Sequence, residues 1–167
     1  RQGMSAPIKI VYNILSNASD LTALVSTRLN PLRIPQESAF PAIAYNLVSV
    51  IASPTNTSHS RTDFARVQVS SFGTTFADAM DTAAQVRAAF EAATFPDTFN
   101  GVYCQAIEFD GEVHLVEDEA GFAGIYHVAQ DFIINYIYAA PVPSGASYLL
   151  LEDGAYLLQE DSYKIEL

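Results

Sequence analysis

The stretch from Phe64 to Phe95 constrains this chain most, because it holds two different periodicities separated by one glycine. Val67 and Val69 alternate with Arg66, Gln68 and Ser70, the period of two that marks a half-buried strand, here Ala65 to Phe72. Gly73 stops the alternation, and Thr74 or Thr75 offers a hydroxyl to the first unpaired N–H groups of a helix. From there Phe76, Ala79, Met80, Ala83, Val86 and Phe90 recur every three or four residues and form one stripe. Asp78, Asp81, Gln85, Arg87 and Glu91 fall mostly off that stripe, and the early acids suit the positive end of the helix dipole. This reads as the one strongly amphipathic helix of the chain, and a sheet with one apolar face is its natural partner.

The flanking sequence supplies the rest of such a sheet. A first helix is predicted from Ala6 to Asn17, opened by Pro7 and made apolar by Ile10, Val11, Ile14 and Leu15. Ser19 and Asp20 cap a short second turn, Leu21 to Val25. Two prolines, Pro31 and Pro35, interrupt both helix and ladder between Arg28 and Pro35, so an irregular extended arm is expected. A strand follows from Ala42 to Ile51, with Ile43, Tyr45, Leu47 and Ile51 on one face. The polar run Ser53 to Asp63 then makes a long hairpin loop, of a length that is either functional or disordered.

Beyond the central helix, Pro96, Asp97, Asn100 and Gly101 are turn residues. A third strand is predicted from Val102 to Phe109, with Tyr103, Ile107 and Phe109 alternating, and Asp110-Gly111 is a hairpin signal. Glu112 to Gly124 is acidic and punctuated by glycine; the fourth strand, Ile125 to Tyr138, places Tyr126, Val128, Phe132, Ile134, Tyr136 and Tyr138 on one face. The expected fold class is α+β: a small, mainly antiparallel four-stranded sheet with helices packed on one face, spanning residues 4–140. Arg1 to Gly3, ahead of Met4, are left out of it. Residues 141–167 read as a Pro/Gly linker and a C-terminal β-hairpin-like repeat, in which Tyr148, Tyr156 and Tyr163 each open a short aliphatic run. Three such strands are marginal alone and need a surface to cover them.

Charge and cysteine content exclude several roles. A net charge of −11, from 8 basic and 19 acidic residues, argues against gripping nucleic acid or an anionic membrane. No run approaches the ~20 apolar residues of a membrane helix, and no basic-then-apolar signal opens the chain, so a soluble intracellular or particle-borne protein is expected. Cys104 is the only cysteine; its strand-like setting marks a buried small hydrophobe rather than a nucleophile. Nine Tyr and ten Phe on so few charges point to aromatic surface buried in a core or between subunits.

A search for chemistry finds little. His59, His114 and His127 have no metal-site spacing; His114 reads as a solvated loop residue and His127 as lying on the polar side of the last strand. Glu108, Asp110, Glu112, Glu117, Asp118 and Glu119 are the densest acids, but their spacing fits no calcium loop, and a solvated loop is the simpler reading. Phosphate-binding and dinucleotide loops and the nucleophile-elbow motif are missing. No catalytic residue, cofactor or metal is expected.

The order and spacing of several segments carry a resemblance. They are Asp20 to Leu29, the arm ending Ile34-Pro35-Gln36, Phe40 to Tyr45, Ala65 to Val69, and the Ala-rich helix around Ala83 to Phe90. Together they resemble the tail completion, or tail terminator, proteins of long-tailed bacteriophages and prophage-derived particles, over about Pro7 to Tyr138. The resemblance implies an α/β fold that assembles as a ring, usually a hexamer, capping the tail tube and joining it to the head-proximal connector. It implies a virion tail or neck protein, assembled in the host cytoplasm, with tail tube and connector proteins as partners and no catalytic residues. The C-terminal repeat lies outside it.

Set beside that resemblance, the residues acquire expected roles. A strongly acidic subunit lets DNA pass through a lumen without specific binding, with the six acids from Glu108 to Glu119 at the lumen or rim. Asn56, His59 and Arg61 of the polar loop are expected to anchor a partner. Tyr148, Leu150, Leu151, Tyr156 and Leu158 are expected to dock on a neighbouring subunit. Ala77, Ala84, Ala88 and Ala92 leave the remaining faces of the central helix open to a second close partner. The competing readings are a head-closure or adaptor ring of the same neck, and a small enzymatic or ligand-binding domain with a deep polar pocket.

Overall fold

The computed structural model describes residues 5–53, 62–117, 124–137, 148–150 and 156–158. Three helices form: α1 (Ala6–Asn17), α2 (Ser19–Val25) and α3 (Phe76–Ala92); Ser19 and Asp20, expected to cap α2 from outside, lie in its first turn, and Ala18 is the N-cap. Pro7 sits in the first turn of α1, where its missing N–H costs nothing. Thr75 caps α3, its hydroxyl oxygen accepting from the Asp78 N–H at 3.1 Å. The apolar faces differ from expectation in one respect. α1 is the more sharply amphipathic helix, burying Ile8, Ile10, Val11, Ile14 and Leu15, whereas α3 leaves Phe76 half exposed. α3 instead buries Thr82, whose hydroxyl donates to the Asp78 carbonyl one turn back at 2.7 Å.

The sheet has six strands rather than four: β1 (Leu29–Pro31), β2 (Ala42–Ala52), β3 (Thr62–Gly73), β4 (Asp97–Phe99), β5 (Val102–Glu117) and β6 (Ile125–Ile137). Their order is β1-β2-β3-β6-β5-β4, antiparallel throughout except for the β1–β2 pair. β1 forms inside the arm expected to be irregular. Pro31 is tolerated there because it ends a short edge strand, a position at which no ladder N–H is needed. The Arg28 guanidinium fixes the entry by donating to the Pro41 and Leu24 carbonyls at 2.8 and 3.0 Å. β4 is the second addition. Asn100 and Gly101, both at positive φ (47° and 78°), make the two-residue turn that folds it onto β5.

The Asp110-Gly111 signal is not a turn. Neither residue has the positive φ such a hairpin requires, and β5 runs straight on to pair with the whole of β6. Asp110 is instead the extra residue of a β-bulge, and two more interrupt the edges, at Val48 in β2 and Gln105 in β5. Each bulge reverses which face the following residues occupy. Ile51 therefore leaves the face of Ile43 and Tyr45 and is 65% exposed, and Cys104 rather than Tyr103 points to the core.

The helices cover one face of the sheet, as expected, and the core lies between them. It joins Ile10, Val11, Leu15, Leu21 and Val25 to Tyr45, Val67, Val69, Phe132 and Ile134. Phe90 of α3 seats on Phe132 with ring centroids 4.2 Å apart. Further along the chain, β7 (Tyr148–Leu150) and β8 (Tyr156–Leu158) form a separate antiparallel pair. Both strands fall within the predicted repeat; the residues between them and the run from Tyr163 lie outside the described residues.

Candidate assembly surface

With all three helices on one side, the opposite face of the sheet is left to solvent or to a partner. Its centre is polar. Arg66 of β3 bonds Asp110 on β5 and, at 3.2 Å, Asp131 on β6, while Gln68 donates to Asp131 at 3.1 Å. One guanidinium thus ties three strands together and holds the Asp110 bulge in place. Towards the start of β2 the arm of residues 32–40 overhangs this face and encloses a groove of about 620 Å³, lined among others by Ile34, Phe40, Asn46, Gln68, Phe72 and His127. The His127 ring stacks on Phe72 at 4.3 Å. Leu32 and Glu37 bend the arm by adopting positive φ (68° and 65°), which is strained for side-chain-bearing residues.

Around this polar centre the rim is apolar. Ile51 on β2, Phe64 on β3, and Val113 and Leu115 on β5 are substantially exposed on this face, whereas the exposed Val50 and Val116 lie on the helix side, level with Ala65 and Tyr126. An apolar rim on a face without helices is surface left for another protein.

The structure divides the acids into two environments. Glu108 and Asp110 belong to the open side, whereas Glu112 turns towards α3. There it accepts from the nearly fully buried Gln130 amide at 2.7 Å and lies 2.6 Å from His114 Nε2. His114 is therefore a strand residue with partners rather than a loop residue, its ring meeting the Phe76 edge at 5.7 Å. Glu117 ends β5; Asp118 and Glu119 lie outside the described residues, as do Asn56, His59, Arg61 and Leu151. Tyr148, Leu150, Tyr156 and Leu158 are in the β7–β8 pair, where Tyr148 opposes Leu158 and Leu150 opposes Tyr156. Among the described residues no three His, Cys, Asp or Glu side chains come close enough to hold a metal ion. Cys104 is buried and its thiol is pushed up to about 11 by that burial, so it is no nucleophile at neutral pH.

His114, and then Gln130, hold the Glu112 carboxyl below its ordinary value of 4.5. A carboxylate with a lowered folded-state value adds stability that is present above the ordinary value and lost as pH falls through the lowered one. Glu112→Gln is accordingly expected to lower the urea midpoint at neutral pH and to match the parent protein in acid. Equal gaps at both pH values would show that the loss is one of packing rather than charge.

Two features of this surface escaped the sequence reading: the groove, and the Arg66 network. The network had a signal, since Arg66 and Asp131 are charges in the middle of two otherwise apolar strands. The groove had none, because it is made by the arm crossing strands far from it in sequence.

The chain belongs to the tail completion protein gp17 family, whose model matches residues 9–136. It is therefore a structural protein of a phage-type tail. Among solved structures it is similar to a chain of the virion of a native gene transfer agent particle, with 16% identity and a TM-score of 0.55. That likeness, over 77% of this chain and 92% of the other, is one of fold. No curated protein matches the chain.

Proposed function

We propose that the protein forms a closed ring, a hexamer, that ends the tail tube and joins it to the head-proximal connector, with DNA passing through its lumen. Family membership supports a place in the tail. The observation that carries the ring reading is the exposed apolar surface along the β2 and β5 sides of the sheet, where Val50, Ile51, Val113 and Leu115, with Phe64 beside them, need a protein neighbour. Subunits of net charge −11 line a passage that repels phosphate, so the DNA moves without adhering. Glu108, Glu117, Asp118 and Glu119 serve the lumen or rim, whereas Asp110 and Glu112 hold Arg66 and Gln130. The loop bearing Asn56, His59 and Arg61 contacts the tube or connector, and the Tyr148–Leu158 extension docks on a neighbouring subunit. Assembly takes place in the host cytoplasm, before the ring enters the virion.

Reversing Glu108, Asp118 and Glu119 together to Lys is expected to leave particles assembled and to slow DNA delivery. Particle counts by electron microscopy and the rate of DNA entry separate the two effects. Intact particles with unchanged delivery would remove the acids from the lumen.

A further inference from the structure

Among the described residues, the two edges of the sheet are unpaired over the same height. β1 covers β2 only from Ile43 to Tyr45, and β4 covers β5 only from Val102 to Cys104. Among the described residues, no strand pairs with the outer edge of β2 from Asn46 to Ala52 or of β5 from Ala106 to Glu117. The registers across β3 and β6 place Asn46 level with Gly111 and Ile51 level with Ala106. Both edges therefore present unpaired backbone groups in one shared window, a feature that proteins normally conceal unless a second strand fills it.

The occupant follows from direction and charge. Three antiparallel steps separate β2 from β5, so the two strands run in opposite senses. Rotating one copy about an axis brings β5 of that copy antiparallel to β2 of the next, the geometry of an ordinary ladder. A two-fold pairing of β5 with itself over this window would bring Glu108 and Asp110 of one copy beside Asp110 and Glu108 of the other, and like charges across a ladder are destabilising. The β2 window, Asn46 to Ile51, holds no charge at all, so it receives the acidic edge without repulsion. It also brings exposed Val48, Val50 and Ile51 against the exposed edge of Phe109 and Val113. Head-to-tail pairing uses both edges of every copy, whereas a two-fold dimer would leave one open on each.

We infer that the partner for these edges is a second copy of this chain, with the Asn46–Ile51 edge of β2 joining the Ala106–Val113 edge of β5 so that the sheet continues from subunit to subunit. The inference rests on the ring reading and specifies its interface. Bulges at Val48 and Asp110 lie within one residue of the same height on the two edges, so the sheet bends at matching levels on both sides of the joint.

Cysteine pairs test this on the full-length protein. Ser49→Cys is combined in turn with Ala106→Cys, Glu108→Cys and Val113→Cys, three β5 positions on the face that Ser49 shares, so that a register slip moves the cross-link instead of abolishing it. Opposed antiparallel residues lie within disulfide reach, and native Cys104 is buried and unreactive. Mild oxidation of one of the double variants is expected to give a ladder of covalent oligomers ending at the ring size, while each single variant stays monomeric on denaturing gels. A covalent dimer from a single variant would overturn the inference in favour of two-fold pairing. A ring by native mass with no ladder from any pair would overturn edge pairing and leave the ring standing. A monomer by native mass would remove both.

Discussion

Replacing Phe132 with alanine is expected to cost about 3–5 kcal/mol, a large part of the ~5–15 kcal/mol that holds a domain of this size together. Phe132 is 1% exposed and sits at the crossing of the molecule. On β6 it opposes Val67 of β3 and Phe109 of β5, and it is the ring on which Phe90 of α3 rests. Its removal opens a void that neither strand pairing nor helix can collapse into, since both are fixed by backbone hydrogen bonds. Chemical denaturation followed by far-UV circular dichroism should show a lower midpoint with little change in slope, and Phe132→Leu should recover most of the loss. A drop below about 1 kcal/mol would mean that the helix layer is not held by this contact.

The second large effect lies at the corner where β3 turns into α3. A Cβ at Gly73 would stand 2.7 Å from the Ala79 backbone nitrogen and 2.9 Å from the Asp78 Cβ. Those atoms belong to the first turn of a capped helix and cannot move aside without breaking the cap. Gly73→Ala is therefore expected to destabilise by about 1–3 kcal/mol through overpacking. Gly111→Ala is the control: nothing lies within 4 Å of its Cβ, and the backbone there is not left-handed. It should stay within about 0.5 kcal/mol of the parent protein. Equal melting temperatures for the two variants would refute the close approach of strand and helix at Gly73.

The helices were legible because their ends carry chemistry. Pro7 and Thr75 announce first turns where the structure begins α1 and α3, whereas α2 starts two residues earlier than its predicted turn, with Ala18 at the N-cap and Ser19 and Asp20 inside the helix. Strand number was not legible. β1 and β4 are three residues long, too short for any periodicity, and both exist only because a longer strand offers an edge to join. Strand faces failed at the bulges, because one inserted residue shifts a period of two by half its length. That is why the sequence alone aligns Ile51 and Tyr103 with the core residues, and why the acid-rich run after Phe109 reads as a loop. β6 pairs with the first part of that run, Gly111 to Glu117, and pairing overrides the local turn signal of Asp110-Gly111. The candidate surface was legible only in its charge. Its geometry depends on Arg66 reaching Asp110 and Asp131 across two strands, which sequence spacing does not encode.

Native mass spectrometry tests the proposed ring-forming joint of the tail most directly. Measured alone and after mixing with purified tail tubes, the protein is expected to give one closed oligomer, six subunits in the proposed hexamer, that remains bound to tube ends. A stable monomer that ignores the tubes would contradict it.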